Sequence, residues 1–319
     1  MSLLAQLVDT SFLKISRSRD FDHFQSIERL GEAKSIPLDC KGFAASFAAV
    51  TLKSCSIYLQ RTFPRILQMR YSTTGAIIAF TMDDAASLLL NGMEVRAPAF
   101  LLVKGSAACE YVEPKANLVA LVSFASVDDR GWPGQRDGAR LIATEPARFE
   151  RLRVITRDVL TLASNSPDVL LQPGMIENLE ESILQAVDHA VHAASPTLEG
   201  KRSNLTNYLS LVRKFDEFLA ANPGRTLYSA DIARQLGVSV RTLHNALVAI
   251  RGMSMHRYTR LNRLWNVRQR LVQGSSMEAI KAIALANGFW HMGEFSSLYR
   301  DLFGETPQQT QLTARRLQS

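Results

Sequence analysis

Two textures divide the chain. Between about Cys40 and Phe124, short apolar or alternating runs recur: SFAAVTL, CSIYLQRTF, GAIIAFTM, EVRAPAFLLV and NLVALVSF, broken by Gly, Pro, Asn or Asp. Short strands at even spacing with turn residues between them predict an antiparallel sandwich or barrel over about 38–127. Asn91-Gly92 is the strongest hairpin signal. Residues 1–35 show no period and read as irregular or partly helical, and a loop rich in Gly, Pro and charge (DDRGWPGQRDG, 128–138) closes the strand-like region. The period then becomes helical. One stripe, Phe149, Leu152, Ile155, Val159 and Leu162, runs through about 146–163. A second, Ile176, Leu179, Ile183, Val187, Ala190 and Val191, runs through about 174–193. These helices pack back on the strands, or the second stripe serves a homodimer. The breaker-rich stretch ASPTLEGKRSN (194–204) reads as a linker between a domain of residues 1–200 and one of residues 205–319. Beyond it the pattern is helical to about 303. The expected fold is α+β in two domains: an antiparallel β-barrel with flanking helices, then an all-α domain.

Within the helical part, DIARQLGVSVRTLHNAL (231–247) fits a helix-turn-helix. Two helices crossing through a short turn need a small residue at their contact, a turn residue that accepts positive φ, and apolar inward faces. Ala233 and Gly237 meet the first two needs. Ile232, Leu236, Val238, Leu243 and Leu247 meet the third, and Ser239 is placed to cap the second helix. The scheme recurs in IKAIALANGFWHMGEFSSLYRDLF (280–303), with Ala284, Gly288, Phe289 and Phe295 in the matching roles. Gly237 and Gly288 stand 51 residues apart. The units are expected at about 229–250 and 278–303. Between them, about 255–272 reads as one helix with Tyr258, Leu261, Leu264, Trp265, Val267 and Leu271 on a broad face. At about 1.5 Å per residue such a helix would set the two units roughly one duplex turn apart.

Charge sharpens this picture. The chain carries 37 Lys and Arg against 30 Asp and Glu, a net of +7. Residues 201–319 hold seventeen against seven, a net of +10, which leaves −3 on the first 200 residues. No carboxylate occurs between Asp231 and Glu278, where eight arginines do. Uncompensated positive charge on that scale points to a polyanion partner, with a basic, well-solvated surface as the alternative; beside two helix-turn-helix units the polyanion expected is double-stranded DNA.

The run from about residue 213 to 310 resembles the AraC/XylS family of bacterial transcription regulators. Ala233, Leu236-Gly237-Val238-Ser239 and Arg241–Leu243 carry the resemblance, with Ala284 to Gly288-Phe289, Phe295, Phe303-Gly304 and Thr306-Pro307. It is nearest the XylS-like branch, through ANGFWHMGEFSSLYRDLFGETP. The first 200 residues are similar in architecture alone, a cupin-like barrel followed by helices. The resemblance implies a sequence-specific DNA-binding regulator whose first domain binds a small-molecule effector or dimerises. It also implies RNA polymerase as a partner and activation as the commoner role, with repression as the alternative.

On the helix from about Val240, the inward set leaves Arg241, Thr242, His244, Asn245 and Val248 outward. Arg241 and Asn245 are neighbours one turn apart. Their groups suit major-groove reading, Arg on guanine and Asn on adenine. The resemblance implies base contacts at Arg241, His244 and Asn245, and Thr242 is expected with them as a further outward residue. The second helix offers His291, Glu294 and Ser297, with Glu294 accepting from cytosine and a more permissive readout overall. Arg251, Arg257, Arg260, Arg263, Arg268, Arg270, Lys281 and Arg300 are candidates for phosphate contacts, which position without reading sequence, while some of them are expected to pair with the acidic first domain instead.

Little points to catalysis. Six histidines occur, and none lies between residues 24 and 188, where a catalytic cupin would carry its metal cluster. His189 and His192 lack further ligands nearby. No P-loop, dinucleotide fingerprint or nucleophile elbow is present. No cofactor and no metal are expected, and the chain reads as a non-enzyme. Two rivals stand beside the regulator: a cupin-type enzyme fused to a DNA-binding tail, and a ligand-independent nucleoid-type binder. Three cysteines without CxxC spacing indicate a reducing compartment. With no secretion signal at the N-terminus and no membrane-length apolar run, a cytoplasmic protein away from membranes is expected.

Overall fold

Alternating apolar residues give strands with two usable faces, and here both faces are buried. The structure is a computed structural model describing residues 3–19, 21, 24, 30–127, 130–132, 137–192, 202–224, 228–273 and 279–318. After a single turn, α1 (Leu3–Gln6), come β1 (Leu13–Ser18), β2 (Gly31–Pro37), β3 (Ala45–Thr51), β4 (Cys55–Arg61) and β5 (Arg65–Thr81). They are followed by β6 (Leu88–Leu90), β7 (Met93–Val95), β8 (Ala99–Glu113), β9 (Leu118–Phe124) and β10 (Gly138–Ala143). Two helices complete this part, α2 (Pro146–Asn165) and α3 (Met175–His192).

All ten strands pair antiparallel in one sheet, in the order β1-β3-β4-β9-β5-β8-β6-β7, with β10 beside β8 and β2 beside β5. Hydrogen bonding among the described residues does not return from β7 to β1, so the expected barrel is an open sheet folded over on itself. The physical cause lies in the two long strands. The register of β5 against β8 breaks between Ser72 and Ala76, and at Gly75 the backbone of β9 approaches so closely that a Cβ would lie 2.1 Å from the Phe124 carbonyl oxygen. The strands bend there and carry one half of the sheet across the other. Ile57, Leu59, Ile78, Leu102, Ala120 and Val122 form one core with α2 and α3. The alternate residues Tyr58, Ile77, Leu101, Val103 and Leu121 meet Leu67, Met69 and Tyr71 inside the fold.

β1 and β2 fall in the stretch expected to be irregular. Each pairs with a single neighbour, β3 or β5, so their outer residues are polar and the alternation is weak. Between Leu90 and Met93 the Asn91-Gly92 turn forms as expected, with positive φ at both residues. The second helical stripe is not free for a partner: Ile183, Val187, Ala190 and Val191 are buried against the sheet and α2. Part of the 128–138 loop and most of the 194–204 linker stretch lie outside the described residues.

The helical part comprises α4 (Arg202–Ala221), α5 (Ser229–Gln235), α6 (Val240–Arg251), α7 (Met255–Gln273), α8 (Ile280–Ala286), α9 (Met292–Phe303) and α10 (Pro307–Gln318). Its core, with Phe215, Leu247, Tyr258, Val267 and Phe295 at the centre, also takes in Ile36, Cys40, Ile66 and Val112 from the sheet. The two parts thus share an apolar interior.

Candidate nucleic-acid interface

Each helix-turn-helix is built by the same backbone device. In the first, Gly237 has φ +69°, its amide donates to the Arg234 carbonyl (3.1 Å), and the Val238 amide donates to the Ala233 carbonyl (2.9 Å). In the second, Gly288 has φ +80°, its amide donates to Leu285 (3.0 Å), and the Phe289 amide donates to Ala284 (3.0 Å). These paired bonds are the left-handed helix stop that glycine favours. Ala233 and Ala284 are buried at the helix contacts.

The 51-residue offset does not extend through the reading helices. The closing glycines, Gly252 (φ +66°) and Gly304 (φ +77°), cap α6 and α9 and are 52 apart. Leu243, Leu247, Ile250 and Arg251 in α6 therefore match Phe295, Tyr299, Leu302 and Phe303 in α9, and all eight are buried. The turn of the second unit is one residue longer. Ser239 caps α6, its Oγ accepting from the Thr242 amide at 3.0 Å; His291 at the start of α9 makes no side-chain cap bond.

Burial separates the expected contacts. Arg241, His244 and Asn245 are exposed on α6, while Thr242 is half-buried and shares a 2.8 Å hydrogen bond with the Ser239 hydroxyl. On α9 His291, Glu294, Ser297 and Arg300 are exposed. Trp290, 66% exposed in the second turn, and Tyr228, 68% exposed just before α5, also stand on this domain's surface. The apolar periodicity did not single them out, because neither contributes to a core. Arg257, Arg270 and Lys281 are exposed and Arg260 is half-buried. Arg263 is half-buried too, its guanidinium packed against the Gly288 turn, and burial lowers its pKa.

Two of the arginines expected on phosphate lie in the interior. Arg251 is 0% exposed. It donates to Glu110 of β8 at 2.5 Å and to Asp216 of α4 at 2.7 Å, and its guanidinium lies over the Tyr258 ring, 5.3 Å from the centroid. Tyr258 donates its hydroxyl to the other Asp216 oxygen (2.7 Å), and Gln68 of β5 donates to Asp216 (3.0 Å). Burial opposes the Arg251 charge, but the Tyr258 oxygen and the Asp216 and Glu110 carboxylates outweigh it and hold its pKa above the usual arginine value. Arg268 is buried as well, with Glu305 at 2.9 Å and the Phe303 ring 4.7 Å from its guanidinium carbon. The Arg251–Glu110 pair is of the kind expected between these arginines and the acidic first domain, but the sequence did not single out either arginine because their carboxylate partners are distant in the chain.

The sheet holds the ends of both reading helices. Glu110 grips the last residue of α6, the Gly92 turn abuts Ala249 and Ile250, and the Cys40 amide donates to the Leu302 carbonyl in α9 at 2.8 Å.

No group of three or more potential metal ligands occurs among the described residues, and none of their helices is long and apolar enough to cross a membrane. Burial raises the thiol pKa of Cys55 and of Cys109 to about 12.

A family model described as a helix-turn-helix domain matches residues 232–313. A "XylDLEGF operon transcriptional activator" of Pseudomonas putida is 33% identical over 249 residues, covering 76% of this chain and 68% of the relative. A "probable thc operon regulatory protein" of Rhodococcus erythropolis is 29% identical over 140 residues, 42% of this chain and only 39% of the relative's length. A crystal structure of a transcriptional regulator with an AraC-type DNA-binding domain, from Chromobacterium violaceum, is 33% identical over 37% of this chain and 96% of its own, with a TM-score of 0.30. With two like-built helix-turn-helix units and a relative of this identity matched over two thirds of its length, the chain belongs to the AraC/XylS family of transcription regulators.

Proposed function

We propose that this protein is a cytoplasmic activator that binds a promoter through both units and recruits RNA polymerase in response to a small-molecule effector held by the sheet. The carrying observation is the exposed set Arg241, His244 and Asn245 on a helix whose other face is buried. Arg241 and Asn245 read guanine and adenine edges, and His244 lies between them. Thr242 acts chiefly through the helix cap. His291, Glu294 and Ser297 read the second groove more permissively, since a carboxylate there accepts from cytosine but repels phosphate. Arg257, Arg260, Arg263, Arg270, Lys281 and Arg300 hold phosphates. α7 has 19 residues, about 28 Å at 1.5 Å per residue, which suits units in successive major-groove faces. The domain division follows the same reading, residues 1–200 sensing and 205–319 binding DNA.

The test is affinity for the protein's own promoter against bulk DNA over a range of salt. Preference for the promoter is expected, with log K falling by about 0.9 per phosphate contacted for each decade of salt. Arg270→Ala lowers that slope by about 0.9, whereas Arg268→Ala leaves it unchanged. Equal affinity for promoter and bulk DNA would support the nucleoid-type reading instead.

A further inference from the structure

The interior of the folded sheet contains a small cavity of about 70 Å³ whose wall includes Gln60, Arg65, Tyr71, Ala79, Tyr111 and Glu113. Most of its polar groups satisfy one another. Arg65 Nε donates to Glu113 at 2.6 Å, Thr62 donates to the same carboxylate at 2.8 Å, and the Tyr71 and Tyr111 hydroxyls share a 2.8 Å bond. Two donors are left over. Gln60 Nε2 and Arg65 Nη1 are buried without a hydrogen-bond partner, on side chains each 3% exposed. Unmet buried donors are uncommon and costly in a folded interior, so a pair in one cavity wall marks a place for an acceptor.

The charge of the site selects the kind of acceptor. Arg65 is already neutralised by Glu113, so an anion entering here would meet a buried carboxylate at close range without a spare cation. Burial, the largest effect, holds both tyrosines as neutral phenols, with pKa values above the ordinary range. The rest of the wall, including Leu67, Met69 and Leu121, is apolar. We propose that this cavity binds a small neutral molecule with an apolar body and one carbonyl-type hydrogen-bond acceptor, held by Gln60 Nε2 and Arg65 Nη1. This rests on reading the sheet as the effector domain and specifies the chemistry of that effector.

The location also links the site to the helices. Residues 65, 71, 111 and 113 of β5 and β8 face the cavity. Their alternates on the same strands, Gln68, Glu110 and Val112, face the helical part. One strand thickness separates ligand from the Arg251 contact.

Acetone, a compact neutral acceptor small enough for a cavity of about 70 Å³, is a suitable probe for ligand-observed NMR titration of the full chain, with acetate as the anionic control. Acetone is expected to bind about tenfold more tightly to the wild type than to Gln60→Met, roughly the weight of one hydrogen bond. The carboxylate is expected to bind at least about tenfold more weakly than the ketone. Ala79→Val, which narrows the cavity and leaves both donors in place, is expected to lose ketone binding. Equal binding to Gln60→Met, tighter binding of the carboxylate, or no binding of either probe (the donors then being met by water alone) would overturn the proposal. Promoter affinity measured in the same samples keeps the two readings apart. Ketone binding that leaves DNA affinity unchanged would refute the effector role and not the site.

Discussion

The two helix-turn-helix units share a turn, a buried alanine contact and a glycine stop, yet they differ at the end of the reading helix. Where the second unit buries Phe303, the first buries Arg251. An aromatic ring is satisfied by any apolar surroundings, so the end of the second reading helix needs no buried carboxylate from the sheet. A buried guanidinium needs carboxylates, and one of them, Glu110, comes from the sheet. The outward faces differ in the same direction. At positions matched by the 52-residue offset, the first unit presents Arg241, His244 and Asn245 where the second presents Gly293, Ser296 and Ser297. Side chains suited to base reading and the buried ion pair to the sheet are thus concentrated in one unit, while the other is held by packing, a backbone hydrogen bond and an exposed Lys41–Asp301 ion pair at 3.7 Å.

The largest expected effect tests that attachment. Arg251→Ala strands two carboxylates and should cost about 3–5 kcal/mol of unfolding free energy in denaturant titration. Combined with Glu110→Ala, the loss should be smaller than the sum of the single losses, because each variant removes the same interaction. Strict additivity would break the comparison. Next comes reading. Arg241→Ala should weaken promoter binding by about 1–3 kcal/mol and relax preference at one base pair, whereas Ser297→Ala should cost less than about 1 kcal/mol, the scale of a single neutral hydrogen bond. Equal losses, measured by competition with single-base variants of the promoter, would erase the asymmetry. The smallest effect concerns the caps. Ser239→Ala should lower stability by about 1 kcal/mol. His291→Ala should leave thermal unfolding nearly unchanged, because its side chain caps nothing.

Much of this was legible in the chain because it rests on local rules. The helix-turn-helix units announce themselves through Ala233, Gly237, Ala284 and Gly288, whose roles follow from contact size and φ. The strands from β3 to β9 show the alternation that a two-faced sheet requires. What escaped depends on partners far away in sequence. Arg251 and Arg268 look like neighbouring surface arginines until Glu110 and Glu305 are brought to them. Trp132 sits in a loop rich in Gly and Pro, yet it is buried and donates to Asp188 at 2.5 Å, which pins that loop to α3. The bend that folds the sheet over on itself arises from a register break and a close approach at Gly75, and periodicity carries no trace of either.

The central claim is that one chain places two readers in successive grooves of one duplex. Hydroxyl-radical footprinting of the full-length protein on its promoter tests it most directly. Two protected patches on one face of the helix, about 10–10.5 base pairs apart, are predicted, with the patch assigned to the first unit fading in Arg241→Ala. A single patch, or two patches on opposite faces of the duplex, would contradict it.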